Sequence, residues 1–107
     1  MIVQVNSDRR TPLNAGDAER LEGVVRHRLS RFAQRLTRAE LHFSDPDGPR
    51  SRGVDARCVL EVRPRGRDPL SASSTAGDAD AAADAAARAM VTILEREAGR
   101  LTTRKGH

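Results

Sequence analysis

The sequence has no tryptophan and no tyrosine, and its aromatics are Phe32 and Phe43 alone. A core built without large rings leans on each Leu, Ile and Phe, worth roughly 1.5–3 kcal/mol apiece when fully buried. There is one cysteine, Cys58. An internal disulfide is excluded, as is any CxxC metal or redox motif, and the chain suits a reducing compartment. Its alternation with core residues makes Cys58 an inert buried thiol. No stretch approaches the ~20 apolar residues of a membrane span. The start, MIVQVNSDRR, lacks the apolar region of a signal peptide, so a cytoplasmic protein is expected. A Gly-rich phosphate loop is missing too. His27 and His42 stand in no triad pattern with a Ser or the Cys, so no catalytic residue is assigned and an enzyme is not expected.

Basic charge is what the chain does have. Net charge is +4, and of 19 basic residues all but Lys105 are arginine. Arginine is the better bidentate donor to phosphate, so where these residues sit matters more than how many there are. At 107 residues the chain makes one domain, 1–107. A domain of this size buries about 65% of its unfolded surface.

The most organised stretch is Asp17 to Arg38. Leu21, Val25, Leu29, Phe32 and Leu36 recur at spacings of three and four, which predicts one amphipathic helix over the whole stretch. On the same helical wheel Arg20, His27, Arg28, Arg31 and Arg35 share a second arc beside the apolar stripe. Asn14 or Asp17 caps its start.

Met1 to Val5 reads as a strand ahead of that helix, followed by a polar loop with Pro12. After it, Ala39, Leu41 and Phe43 alternate with Arg38, Glu40 and His42 in a half-buried strand. Ser44 to Gly53 is dense in turn residues and reads as a loop. Its DPDG at Asp45 to Gly48 fails the calcium-loop pattern, with Pro49, Arg50 and Ala56 at the positions that decide it. Ala56, Cys58, Leu60 and Val62 mark a third strand, Pro64 to Pro69 a hairpin-type connection, and Leu70 to Thr75 a fourth strand of small residues near an edge. Glu40 and Glu61 fall on outer strand faces, where Arg57 and Arg63 offer surface pairing.

Gly77–Asp78 opens a second helix. Its apolar stripe is Ala79, Ala82, Ala83, Ala86, Met90, Ile93, Leu94 and Leu101. Asp78, Asp80 and Asp84 fall early and Arg96, Arg100 and Arg104 late, both of which suit the helix dipole. The tail, Thr102 to His107, is expected to fray. The order β-α-β-β-β-α gives an α+β two-layer sandwich, a four-stranded sheet with both helices on one face.

This order, with several of its residues, resembles the ribosome hibernation factors, the family of ribosome-associated translation inhibitors. His27-Arg28-Leu29-Ser30-Arg31-Phe32 is similar to the family's basic–apolar pattern in the first helix. RAELHFSD (Arg38 to Asp45) and RCVLEVR (Arg57 to Arg63) resemble its central strands. Asp78 and Ala81-Ala82-Ala83-Asp84 resemble the opening of its second helix, and Arg96 and Arg100 its later basic positions. The family usually has an aromatic where this chain has Asp80, and basic residues where it has Ala89 and Thr92. With the sequence running to His107, the dimerisation domain of the family's long form is not expected.

The resemblance implies a protein that binds the small ribosomal subunit and its rRNA in the channel used by mRNA and tRNA. It implies no cofactor, no metal, no small-molecule substrate and no membrane partner. The expected RNA-binding residues are Arg20, His27, Arg28, Arg31, Arg35, Arg96, Arg100 and Arg104. Arginines at three- and four-residue spacing repeat every ~5–6 Å, close to the phosphate spacing of a strand. With both phenylalanines at core positions, phosphate and shape recognition is expected over base readout. Arg63, Arg65 and Arg67 form a second basic cluster around a turn. The alternative is a divergent copy of the fold that forms a homodimer, or meets another protein, through an edge strand and the outer sheet face. A double-stranded RNA-binding domain fits less well, because it wants a basic start to the last helix.

Overall fold

Two helices lie on one face of a twisted four-stranded sheet. The structure, a computed structural model, describes residues 1–8, 13–44 and 56–105, and side chains as far as residue 98. The elements are β1 (Ile2–Ser7), α1 (Ala15–Arg28), a 3₁₀ segment (Ser30–Arg35), β2 (Leu36–Ser44), β3 (Ala56–Pro64), β4 (Leu70–Ala76) and α2 (Ala79–Lys105). The strands lie in the order β1-β2-β3-β4. β1 runs parallel to β2, with α1 as the crossover that a parallel pair requires, and the other pairs are antiparallel. The expected β-α-β-β-β-α sandwich is therefore present, and β4 is an edge strand as its small residues suggested. The expected turn at 45–48, the side chains of Arg100, Leu101 and Arg104, and the end of the tail at 106–107 lie outside the described residues.

Local chemistry accounts for the starts of both helices. Asn14 accepts from the Asp17 amide at 2.8 Å, and the Asp17 carboxylate accepts from the Asn14 amide at 3.2 Å. This reciprocal capping box satisfies two amides that the helix leaves without partners. At α2, Asp78 accepts from the Ala81 amide at 2.7 Å. The turn between β3 and β4 needs Gly66, whose φ of 68° disfavours residues with a Cβ.

One expectation is corrected. The first helix does not run to Arg38: it stops at Arg28, and Leu29 is its C-cap. Ser30–Arg35 then winds as 3₁₀, and β2 begins at Leu36. All five stripe residues, Leu21, Val25, Leu29, Phe32 and Leu36, are nevertheless buried. They reach the core from three successive elements. A bulge at Thr37 explains why Leu36 kept a helical phase. Leu36 pairs with Pro64 and Arg38 with Arg63, so β2 carries one residue too many there. Thr37 Oγ1 donates to the Arg63 carbonyl at 3.0 Å and holds the bulge.

The core is one cluster between the layers. α1 lies over β1 and beside α2, which lies over β3 and β4. Ala82, Ala83, Ala86 and Ala87 are fully buried, and their small size lets α2 approach closely. Leu21 and Val25 of α1, with Leu29 at its C-cap, join the same core cluster. Among the described residues no polar or charged side chain is buried.

Candidate nucleic-acid interface

Because α1 ends at Arg28, the basic row is not a single helical arc. Arg20, His27 and Arg28 stand on α1, whereas Arg31 and Arg35 stand on the 3₁₀ segment. Arg20, Arg28 and Arg31 still follow one seam, the line where the first helical stretch meets α2. Across it stand the acidic residues of α2. Arg20 Nε donates to both carboxylate oxygens of Asp80, at 2.9 and 3.1 Å, and its Nη2 reaches Asp17 at 3.1 Å. Arg28 grips Asp84 bidentately, Nε at 2.7 Å and Nη2 at 3.2 Å. Arg88 approaches the same carboxylate at 3.6 Å. Arg31 lies 3.5 Å from Glu95 and stacks over the Phe32 ring at 4.9 Å.

These pairs shift the ionisation of their members. The Arg28 hydrogen bond holds the Asp84 carboxyl below its usual range. Hydrogen bonding first to Asp80 and then to Asp17 raises the Arg20 guanidinium. Asp17 is lowered chiefly by the Asn14 backbone amide and next by Arg20. Asp80 stands where the resembled family usually carries an aromatic, and here it is the partner of Arg20.

The seam gathers Arg28, Arg31 and Arg88 around a shallow depression of about 240 Å³, floored by Val91. Arg88 was not among the expected binding residues. Its spacing of four from Asp84 was the available signal, since such pairs share a helix face. Arg35 and Arg96 are exposed and make no ion pair among the described residues. His27 is exposed on α1. The side chains of Arg100 and Arg104 are beyond those described.

The second basic cluster splits. Arg63 lies on the outer sheet face, 3.6 Å from Glu61. Arg65 and Arg67 turn towards the helical layer, and the Arg65 amide donates to the Arg35 carbonyl at 2.8 Å. With Arg35 they rim a cleft of about 680 Å³ whose apolar wall includes Phe32, Leu36, Leu70 and Leu94. Asp68 and Glu97 share this rim, and Arg67 lies 4.0 Å from Glu97.

On the outer sheet face Glu40 accepts from Arg38 and meets His42 at 3.2 Å. Arg38 is the first cause of its lowered ionisation and His42 a lesser one. Surface pairing thus accounts for both outward glutamates, although Glu40 uses Arg38 rather than Arg57. Cys58 is fully buried, and burial pushes its thiol up to about 12, which leaves almost no thiolate near neutrality. Among the described residues no three His, Cys, Asp or Glu side chains gather as a metal site, and no helix is long and apolar enough to cross a membrane.

A small two-layer sandwich with an arginine-lined helical seam is the class that this geometry defines. The family model described as "Sigma 54 modulation protein / S30EA ribosomal protein" matches residues 17–102. The chain belongs to this family, which is the hibernation-factor family that its two helices and central strands resemble. No curated protein matches the chain. Among solved structures, a ribosomal subunit interface protein from Coxiella burnetii is similar with a TM-score of 0.75 and 14% identity, over 92% of this chain and 99% of that one. The N-terminal domain of Protein Y from Thermus thermophilus is similar with a TM-score of 0.64 and 19% identity, over 90% and 98%. At such identities the likeness is one of fold.

Proposed function

We propose that this protein is a ribosome-associated translation inhibitor that binds rRNA of the small subunit through the arginines of its helical layer, and that it is not an enzyme. The observation that carries this reading is the gathering of Arg28, Arg31 and Arg88 around one depression, in a chain of this family. Arg35 and Arg96 are exposed cations on the same two helical stretches, without ion pairs among the described residues. Both phenylalanines are buried and offer no ring to a base, so the guanidinium groups suit phosphate and shape recognition. The work is done in the cytoplasm, where ribosomes are.

The test is pelleting with purified bacterial small subunits in low salt. The wild-type chain co-sediments, and binding weakens steeply as salt rises, because each neutralised phosphate releases counterions. The triple variant Arg31→Glu/Arg88→Glu/Arg96→Glu, folded by circular dichroism, stays in the supernatant. Pelleting of the variant like wild type overturns the assignment of this surface.

One observation favours the dimerising module as a second reading. β4 (LSASSTA) is an edge strand with no charge and no proline, the devices that usually blunt an edge. It requires a stable dimer in light scattering and no pelleting with subunits.

A further inference from the structure

The seam holds its arginines in an occupied state. Asp84 receives Nε and Nη2 of Arg28 in the parallel two-pronged geometry that a guanidinium also offers to phosphate. Arg88 approaches the same carboxylate from its own helix. Asp84 therefore sits between two guanidinium groups, as a bound phosphate would. Asp80 also occupies Arg20, though through one donor, its two oxygens sharing the Nε–H. These groups remain open to solvent: the Arg28 side chain is 41% exposed and Asp84 34%. An incoming phosphate can reach Arg28 but competes with Asp84 for the Nε–Nη2 edge that the carboxylate occupies, since two anions on one edge repel.

We infer that Asp84 and Asp80 act as tethered stand-ins for phosphate, so that RNA binds this surface by displacing them and they set its affinity. The inference rests on the RNA-binding reading above. A tethered carboxylate competes at high local concentration. A lone phosphate or a mononucleotide offers too little to displace it. An rRNA surface presents many phosphates at once and releases counterions at each contact. Asp84 and Asp80 thus tune the surface towards densely charged RNA and away from small anions.

The experiment compares wild type, the double variant Asp80→Asn/Asp84→Asn, and a control, Glu40→Gln/Glu61→Gln, for binding to purified small subunits across a salt series. Both variants raise the net charge by two. The control does so on the outer sheet face, away from the seam. The seam variant is expected to bind about tenfold more tightly than wild type, on the scale of breaking two exposed ion pairs, and clearly more tightly than the control. It also gains measurable retention of inorganic phosphate by the Arg28–Arg88 pair. A purely structural role for these aspartates predicts weaker binding on their removal, never tighter. Seam and control variants of equal affinity, or a seam variant weaker than wild type, overturn the inference while leaving the RNA-binding reading intact. Failure of all three proteins to bind subunits overturns that reading and this inference with it.

Discussion

The α1–α2 seam has two rows built on opposite principles. The lower row, Leu21, Val25 and Leu29 against Ala82, Ala83, Ala86 and Met90, is fully buried and wholly apolar. The upper row, Arg20–Asp80 and Arg28–Asp84 with Arg31–Glu95, is ionic and open to water. Burial of a large apolar side chain contributes roughly 1.5–3 kcal/mol. An exposed pair such as Arg28–Asp84 is worth below about 1 kcal/mol and less in salt. The lower row thus decides that the helices dock. The upper row is nearly free, in stability, to be rearranged when another anion arrives.

Truncating the lower row gives the largest effect. Leu29→Ala leaves a cavity at the C-cap of α1, where α1 and the 3₁₀ segment meet the core. It should cost about 2–5 kcal/mol, read as a lower urea midpoint that is insensitive to salt. A loss as small as that of an exposed pair would show that the seam collapses around the gap, and would break the contrast between the rows.

The lower row was also the part that the sequence disclosed. The stripe Leu21, Val25, Leu29, Phe32 and Leu36 named buried residues correctly while naming the wrong element for the last two. Burial follows from side-chain chemistry, whereas secondary structure beyond Arg28 was settled by the 3₁₀ turn at Ser30 and the bulge at Thr37. A bulge moves strand residues by one position. Leu36 therefore falls out of step with Ala39, Leu41 and Phe43 and into step with the helix before it. The upper row was half legible. Its arginines stood out by spacing, and so did the acidic start of α2, but each was read on its own helix. Only the packing of α1 beside α2 makes Asp80 and Asp84 their partners, and no local pattern announces a contact across more than fifty residues.

A smaller effect isolates the upper row. Asp84 and Asp17 ionise at lower pH in the folded chain than their ordinary value of 3.8. The unfolded chain therefore binds protons first as the pH falls. The stability from these carboxylates is complete above about pH 4 and is lost as the pH drops through their lowered folded values. Asp84→Asn should remove part of that acid dependence and cost below about 1 kcal/mol at neutral pH. Thermal melts at pH 7 and at pH 3 in parallel check it. A large neutral-pH loss, comparable to Leu29→Ala, would mean that the ion pair and not the apolar row docks the helices.

The smallest effect on stability is the most informative about function. Arg35 is exposed at the end of the 3₁₀ segment and makes no ion pair among the described residues, so it belongs to neither row. Its backbone is held by the Arg65 amide, which a change of side chain does not disturb. Arg35→Glu should leave the urea midpoint unmoved, because exposed substitutions away from caps and cores are nearly neutral. Against small subunits it should bind several-fold more weakly, with a salt slope shallower by about 1, the signature of one lost phosphate contact. An unchanged slope would confine RNA to the paired arginines of the seam, and displacement of carboxylates would then be the whole cost of binding. A reduced slope would extend the contact past the seam to a cation that needs no displacement, which gives the RNA a foothold before Asp84 and Asp80 let go.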